Sequence, residues 1–164
     1  MQNTKNPLIF IVEDSVVYKE LIVGYLQAKK FDNIKTFNNG EDCIKDLALK
    51  PDIIILDYFF DGISGLELMR KIKLEQFDID FIFLSNQNNI QVAVEIMKLG
   101  AADYIEKNDK APYRLVQSIE NLLTVIKKEK IRKGLNIGMV GFFIMLFIII
   151  MTIILVSIMF DLEL

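Results

Sequence analysis

Three short runs of this chain are apolar almost without a break: LIFIV at 8–12, IIIL at 53–56 and FIFL at 81–84. Rich in Ile, Leu and Phe, they suit strands covered on both faces, the condition of inner strands in a parallel sheet. Weaker runs at Ile34–Phe37 and Tyr104–Ile105 add two more candidate strands. Between them lie stretches with helical spacing: Ser15–Lys30, Glu41–Leu49, Gly65–Glu75, Ile90–Leu99 and Pro112 onward. Ser15 and Ser64 stand where N-caps belong. NNG (38–40) and DGISG (61–65) supply turn chemistry, and Pro112 fits a first helical turn. In the last stretch Leu115, Val116, Ile119, Leu122, Leu123 and Ile126 share one face. Five strands alternating with five helices predict an α/β domain over residues 1–126, an open parallel sheet with right-handed crossovers.

Charge then divides the chain. All 19 Lys and Arg, and 20 of the 22 Asp and Glu, precede residue 134. The segment 127–134, KKEKIRKG, is strongly basic, and residues 139–159 carry no charge. At 1.5 Å per residue those 21 residues reach roughly 32 Å, the thickness of a ~30 Å hydrocarbon core. The alternative, a buried core helix, needs more cover than so small a domain offers. The sequence therefore predicts a basic juxtamembrane segment at 127–134, a transmembrane helix at 135–160 and a short non-cytoplasmic tail at 161–164. Basic residues before the span hold the first domain in the cytoplasm, on a single-pass protein of the cytoplasmic membrane. They also suit anionic lipid head groups. Gly134, Gly138 and Gly141 lie on one helical face, where small residues favour close packing against a second copy.

Several chemistries are excluded or disfavoured. The chain has no histidine, so it holds no histidine triad, histidine phosphodonor or ordinary zinc site. Its one cysteine, Cys43, forms no intrachain disulfide and reads as a small packing residue suited to a reducing compartment. No signal-peptide pattern opens the sequence. No P-loop or dinucleotide fingerprint is present. Residues 1–126 hold 14 basic against 19 acidic residues, a net charge of −5 that repels nucleic acid.

The chemistry sits where the apolar runs stop. The first ends in Glu13 and Asp14, the third in Asp57. In an open parallel sheet, ligands bind at the carboxyl ends of the strands. If the first and third strands are neighbours, three carboxylates meet there and repel one another. Helix capping accounts for one such acid, less well for three. A hard divalent cation, Mg²⁺, resolves the repulsion with carboxylates, waters and phosphate oxygens as ligands. Ser85 ends the fourth run and Lys107 follows the fifth. The set reads as a phosphoryl site in which Asp57 attacks, Mg²⁺ and Lys107 neutralise phosphoryl oxygens, and Ser85 hydrogen-bonds one of them.

IVEDS, DIIILD, FLS and GAADYIEK occur in the order and approximate spacing seen in receiver domains of bacterial two-component response regulators, which the chain resembles over residues 7–126. The resemblance implies a doubly wound, flavodoxin-like sheet of order 2-1-3-4-5. It implies a phosphoacceptor signalling domain rather than an enzyme, with Asp57 taking a phosphoryl group from a histidine kinase or histidine phosphotransfer protein. Glu13, Asp14, Asp57 and the backbone carbonyl of Phe59 would hold Mg²⁺. Lys107 would contact the phosphoryl group, and Ser85 with Tyr104 would form the switch pair that alters affinity for an unidentified downstream protein.

The chain also departs from that pattern. Asp61 and Asn108 stand where the family usually has proline, so the loop after Lys107 is expected to be altered or strained. Asn86 replaces a small residue and narrows access. Phe59 and Gln87 fall where side chains border the attacking water, which predicts slow self-dephosphorylation. These departures motivate the alternative of a phosphorylation-independent, membrane-tethered receiver-like scaffold. An aspartate-nucleophile phosphatase fits less well, because Phe59 occupies the place of its second acid.

Overall fold

The computed structural model describes residues 6–60, 62–75, 77, 79–86 and 89–162; within the last helix, side chains are described at 111–125, 128 and 141–152. The chain forms two units, Met1–Leu123 and Thr124–Leu164.

The first unit holds five strands: β1 (Ile9–Val12), β2 (Ile34–Phe37), β3 (Ile53–Asp57), β4 (Asp80–Ser85) and β5 (Asp103–Glu106). They form one parallel sheet of order β2-β1-β3-β4-β5. The expected flavodoxin-like topology is thus found. β1 and β3 are buried along their whole length, and β4 from its second residue. This is why these three have the unbroken apolar runs. The edge strand β2 buries fully only Phe37 and reads less clearly.

Helices α1 (Val16–Ala28), α2 (Gly40–Lys45), α3 (Gly65–Leu74), α4 (Ile90–Lys98) and α5 (Ala111–Leu162) complete the element order. Alternation along the strands splits the core in two. Ile9, Ile11, Ile53, Ile55, Ile82 and Leu84 pack with Ile22 and Leu26 of α1 and with Leu115 and Ile119 of α5. Phe10, Val12, Ile54, Leu56, Phe81 and Phe83 pack with Cys43 of α2, Leu68 and Met69 of α3 and Ile96 of α4. Cys43 is fully buried and its thiol is pushed up to about 12, chiefly by that burial.

The expected caps are present. Ser15 accepts a bond from the Tyr18 N–H, and Ser64 forms a reciprocal capping box with Glu67. The expected helix Glu41–Leu49 is instead two pieces, α2 and a 3₁₀ turn at Leu47–Leu49, closed by Lys50 in the left-handed region at φ 56°. Pro51 follows at once, and the residue before a proline is steered away from helical backbone. Asn39 and Asn89 cap α2 and α4, which their place inside turn-like runs had concealed.

In the second unit the backbone is helical through Leu162. Among the described residues, no helix is long and apolar enough to cross a membrane. The span expected over 135–160 is therefore not found among the described residues. The side chains described within it are 141–152, whose twelve residues cover about 18 Å against a ~30 Å core. The side chains of Gly134 and Gly138, of the other residues at 135–140 and of 153–160 lie outside the described set. At Gly141 a Cβ would meet nothing within 4 Å.

Candidate functional site

The pairing of β1 directly with β3 brings residues distant in sequence to one rim. Glu13 and Asp14 follow β1, Asp57 closes β3 and Lys107 follows β5. Lys107 Nζ donates to Asp57 Oδ2 at 2.6 Å and to Glu13 Oε2 at 2.7 Å. The side chains of Lys107, Glu13 and Asp57 are 6 %, 3 % and 8 % exposed, so these contacts are little screened by solvent. Asp14 is exposed, yet oxygens of Glu13, Asp14 and Asp57 all lie within 4.8 Å of one another. Three ionised carboxylates against one ammonium leave a formal charge of −2.

The surrounding backbone fixes this cluster. Glu13 Oε1 accepts the Ser15 N–H at 3.2 Å, and its carbonyl accepts from Lys19 Nζ at 3.1 Å. Lys19 also donates to Asn38 in the loop after β2. Lys107 N–H donates to the Ser85 carbonyl at 2.8 Å, which carries the β4–β5 pairing one residue beyond β5. Asn108 replaces the expected proline without a cis peptide: its Oδ1 accepts the Lys110 N–H at 3.0 Å and its carbonyl accepts the Ala111 N–H at 2.9 Å. The loop is thus altered, as expected, into a side-chain-stabilised turn that leads into α5.

Burial raises the Glu13 carboxyl above its ordinary range, opposed by its hydrogen bond to Lys107 and that ammonium's charge. The hard oxygen donors suit Mg²⁺, whose charge would balance the excess of carboxylate over ammonium. A pocket of about 320 Å³ opens over the cluster, bordered also by Tyr18, Phe59 and Asn86. Phe59 is 57 % exposed and meets the Tyr58 ring edge-on at 4.5 Å. The Phe59 N–H makes a long 3.5 Å contact to Asp57 Oδ1.

Two predicted residues stand back from the pocket. Ser85 is fully buried at the end of β4. Tyr104 is half-buried on β5, opposite Phe83, and packs on the side of the core that faces α3 and α4. Neither is among the described residues that border the pocket. Gln87 and Asp61 lie outside the described residues.

Two contributors escape a linear reading. A Cβ on Gly65 would lie 2.2 Å from the Asp57 carbonyl oxygen, so only glycine lets α3 start against the end of β3. The Tyr18 ring lies over Lys107, with Nζ 4.6 Å from its centroid. The DGISG turn hinted at the first; nothing in the local pattern signalled the second.

A flavodoxin-like α/β domain with an acid cluster and a buried lysine at its strand ends is one class of protein. Residues 9–120 match the response regulator receiver domain family, and the chain belongs to it. Receiver domains are phosphoacceptor signalling domains of two-component systems; they bind Mg²⁺ at an acidic pocket and interact with histidine kinases. The chain is 33 % identical over 121 residues to the transcriptional regulatory protein CssR of Bacillus subtilis, covering 74 % of this chain and 53 % of that one. It is 32 % identical over 125 residues to a protein-glutamate methylesterase/protein-glutamine glutaminase of Clostridium acetobutylicum, covering 73 % and 35 %. The chain thus spans about half or less of the length of these relatives. A signal receiver domain from Vibrio parahaemolyticus superposes with a TM-score of 0.70 at 28 % identity, covering 77 % of this chain and 96 % of that structure.

Proposed function

We propose that this chain is a membrane-anchored response regulator that accepts a phosphoryl group on Asp57 and signals through the surface that includes Tyr104. The observation that carries the reading is the bridge from Lys107 Nζ to both Asp57 and Glu13, with Asp14 beside them. An Asp57 oxygen attacks the phosphorus of a phosphohistidine on a histidine kinase or phosphotransfer protein. The P–O bond forms, the P–N bond breaks, and the histidine nitrogen leaves with the electron pair and takes a proton. Lys107, already at Asp57, offsets charge on the phosphoryl oxygens. Glu13, Asp14, Asp57 and the Phe59 carbonyl would hold Mg²⁺, which neutralises phosphoryl charge when bound. Ser85 and Tyr104 are the proposed switch pair: Ser85 turns to a phosphoryl oxygen and Tyr104 moves inward, changing affinity for a downstream protein.

Membrane attachment rests on sequence. Residues 139–159 are uncharged and follow the basic segment 127–134, which favours a cytoplasmic first unit. Thr152 Oγ1 donates to the Ile149 carbonyl at 2.8 Å, a bond compatible with an apolar surrounding though common in any helix. A second copy packing on the glycine face at 134, 138 and 141 belongs to the same proposal.

The test is exposure to acetyl phosphate with Mg²⁺, followed by intact mass. Wild type gains one phosphoryl group and Asp57→Asn gains none. Equal behaviour of the two would instead favour the phosphorylation-independent scaffold, a reading supported by Asn86 at the pocket's edge.

A further inference from the structure

The Lys107 ammonium has three N–H bonds. Two are directed to Asp57 and Glu13, which leaves one side to be covered. The Tyr18 ring lies against the same ammonium, with Nζ 4.6 Å from its centroid, well inside the range of cation–π attraction. The ring is held by the same loop that carries the acids. Glu13 accepts the Ser15 N–H, and the Ser15 hydroxyl oxygen accepts the Tyr18 N–H at 3.4 Å. The Tyr18 hydroxyl is buried and has no hydrogen-bond partner among the described residues. The contact to Lys107 is therefore made by the ring face and not by the polar end. With the lysine side chain only 6 % exposed, this contact is largely shielded from water.

We propose that Tyr18 is a positioning residue, whose ring seats the Lys107 ammonium over Asp57 and Glu13. The inference rests on the phosphoacceptor reading for its consequence, though not for the contact itself. The four-carbon stem is flexible, and two ion pairs tie its ammonium to the carboxylates. The ring narrows what motion is left, so the cation stands where phosphoryl charge would develop. It acts through Lys107 and takes no part in bond making.

The experiment uses the full chain in detergent micelles with three variants at position 18. Tyr18→Leu removes the ring, Tyr18→Phe keeps it, and Tyr18→Met carries the same test should the leucine variant lose its fold. The first readout is the Lys107 ammonium resonance in nitrogen-edited NMR, assigned by its loss in Lys107→Met. It is displaced upfield by the ring in wild type and Tyr18→Phe, and that displacement vanishes in Tyr18→Leu. The second is the rate of phosphoryl uptake from acetyl phosphate. Tyr18→Leu lowers it about five- to tenfold, between the scales of an exposed and a fully desolvated cation–π contact, and Tyr18→Phe restores it. On a Lys107→Met background, Tyr18→Leu has no further effect.

An unchanged ammonium resonance in Tyr18→Leu would overturn the proposal. So would a Tyr18→Phe variant as impaired as Tyr18→Leu, or additive losses with Lys107→Met. If Asp57→Asn takes up phosphoryl as wild type does, the phosphoacceptor reading fails, and the resonance still decides the Tyr18 contact.

Discussion

Gly65 abuts the carbonyl of Asp57 so closely that a methyl group on it would lie 2.2 Å from that oxygen. Its N–H also donates to the Tyr58 carbonyl at 3.1 Å, and Tyr58 N–H donates to the carbonyl of Leu84, one residue before the end of β4. The first turn of α3 and the end of β3 are thereby one unit. Gly65→Ala forces backbone apart and should lower stability by about 3 kcal/mol in urea unfolding. It should also slow phosphoryl uptake, because the main chain of Asp57 is what moves. A variant of wild-type stability would show that the two elements part without loss.

Lys107 holds two buried carboxylates together. Lys107→Met leaves them facing each other and should cost about 3 kcal/mol in the absence of divalent cation. Mg²⁺ then no longer competes with an ammonium for the same oxygens, so calorimetry should record tighter binding, by about tenfold. Weaker binding in the variant would contradict this electrostatic account. Adding EDTA to the Mg²⁺-loaded variant should lower its Tm more than that of wild type.

The capping box at α3 gives a pH test. Hydrogen bonds from the Ser64 backbone and side chain hold the Glu67 carboxyl below its ordinary value of 4.5. A depressed folded-state value means that the stabilisation is complete above the unfolded value. It fades as acid protonates Glu67 below that value. Ser64→Ala should lower stability at neutral pH, and the gap between wild type and variant should narrow below pH 4.5. Parallel stability curves down to low pH would refute the assignment.

Phe59 borders the pocket and is 57 % exposed, and the proposed function gives its apolar ring the role of shielding the phosphoryl group from water. Loss of the phosphoryl group is expected to be slow in wild type. Phe59→Asn should accelerate it at least severalfold, followed by intact mass over time with Mg²⁺ present. A wild-type half-life of seconds would count against shielding.

Removing residues 134–164 tests attachment. The full chain should stay with membranes through alkaline extraction, and the shortened chain should be released while still taking up phosphoryl on Asp57. Release of both would remove the membrane from the proposal.

Much of the fold is legible in the chain because inner strands of a parallel sheet must be apolar on both faces. LIFIV, IIIL and FIFL leave few other placements, and the acids that end two of them stand out against that background. Ser15 and Ser64 are readable as caps because capping is local. The break at Lys50 follows from Pro51 but is hidden inside a helical run. β2 and β5 are blurred because partly exposed strands need no continuous apolar pattern.

The sequence by itself determined the alternation of strands and helices, the acids at the strand ends and the uncharged run near the C-terminus. Only tertiary structure decided that Lys107 bridges Glu13 and Asp57, 94 and 50 residues away. It alone placed Tyr18 over that lysine, and it alone required Gly65 to lack a side chain. Local propensity depends on neighbours a few residues apart. A charge pair, a ring over a cation and a close backbone approach depend on which strands lie side by side, a relationship that exists only once the sheet has closed.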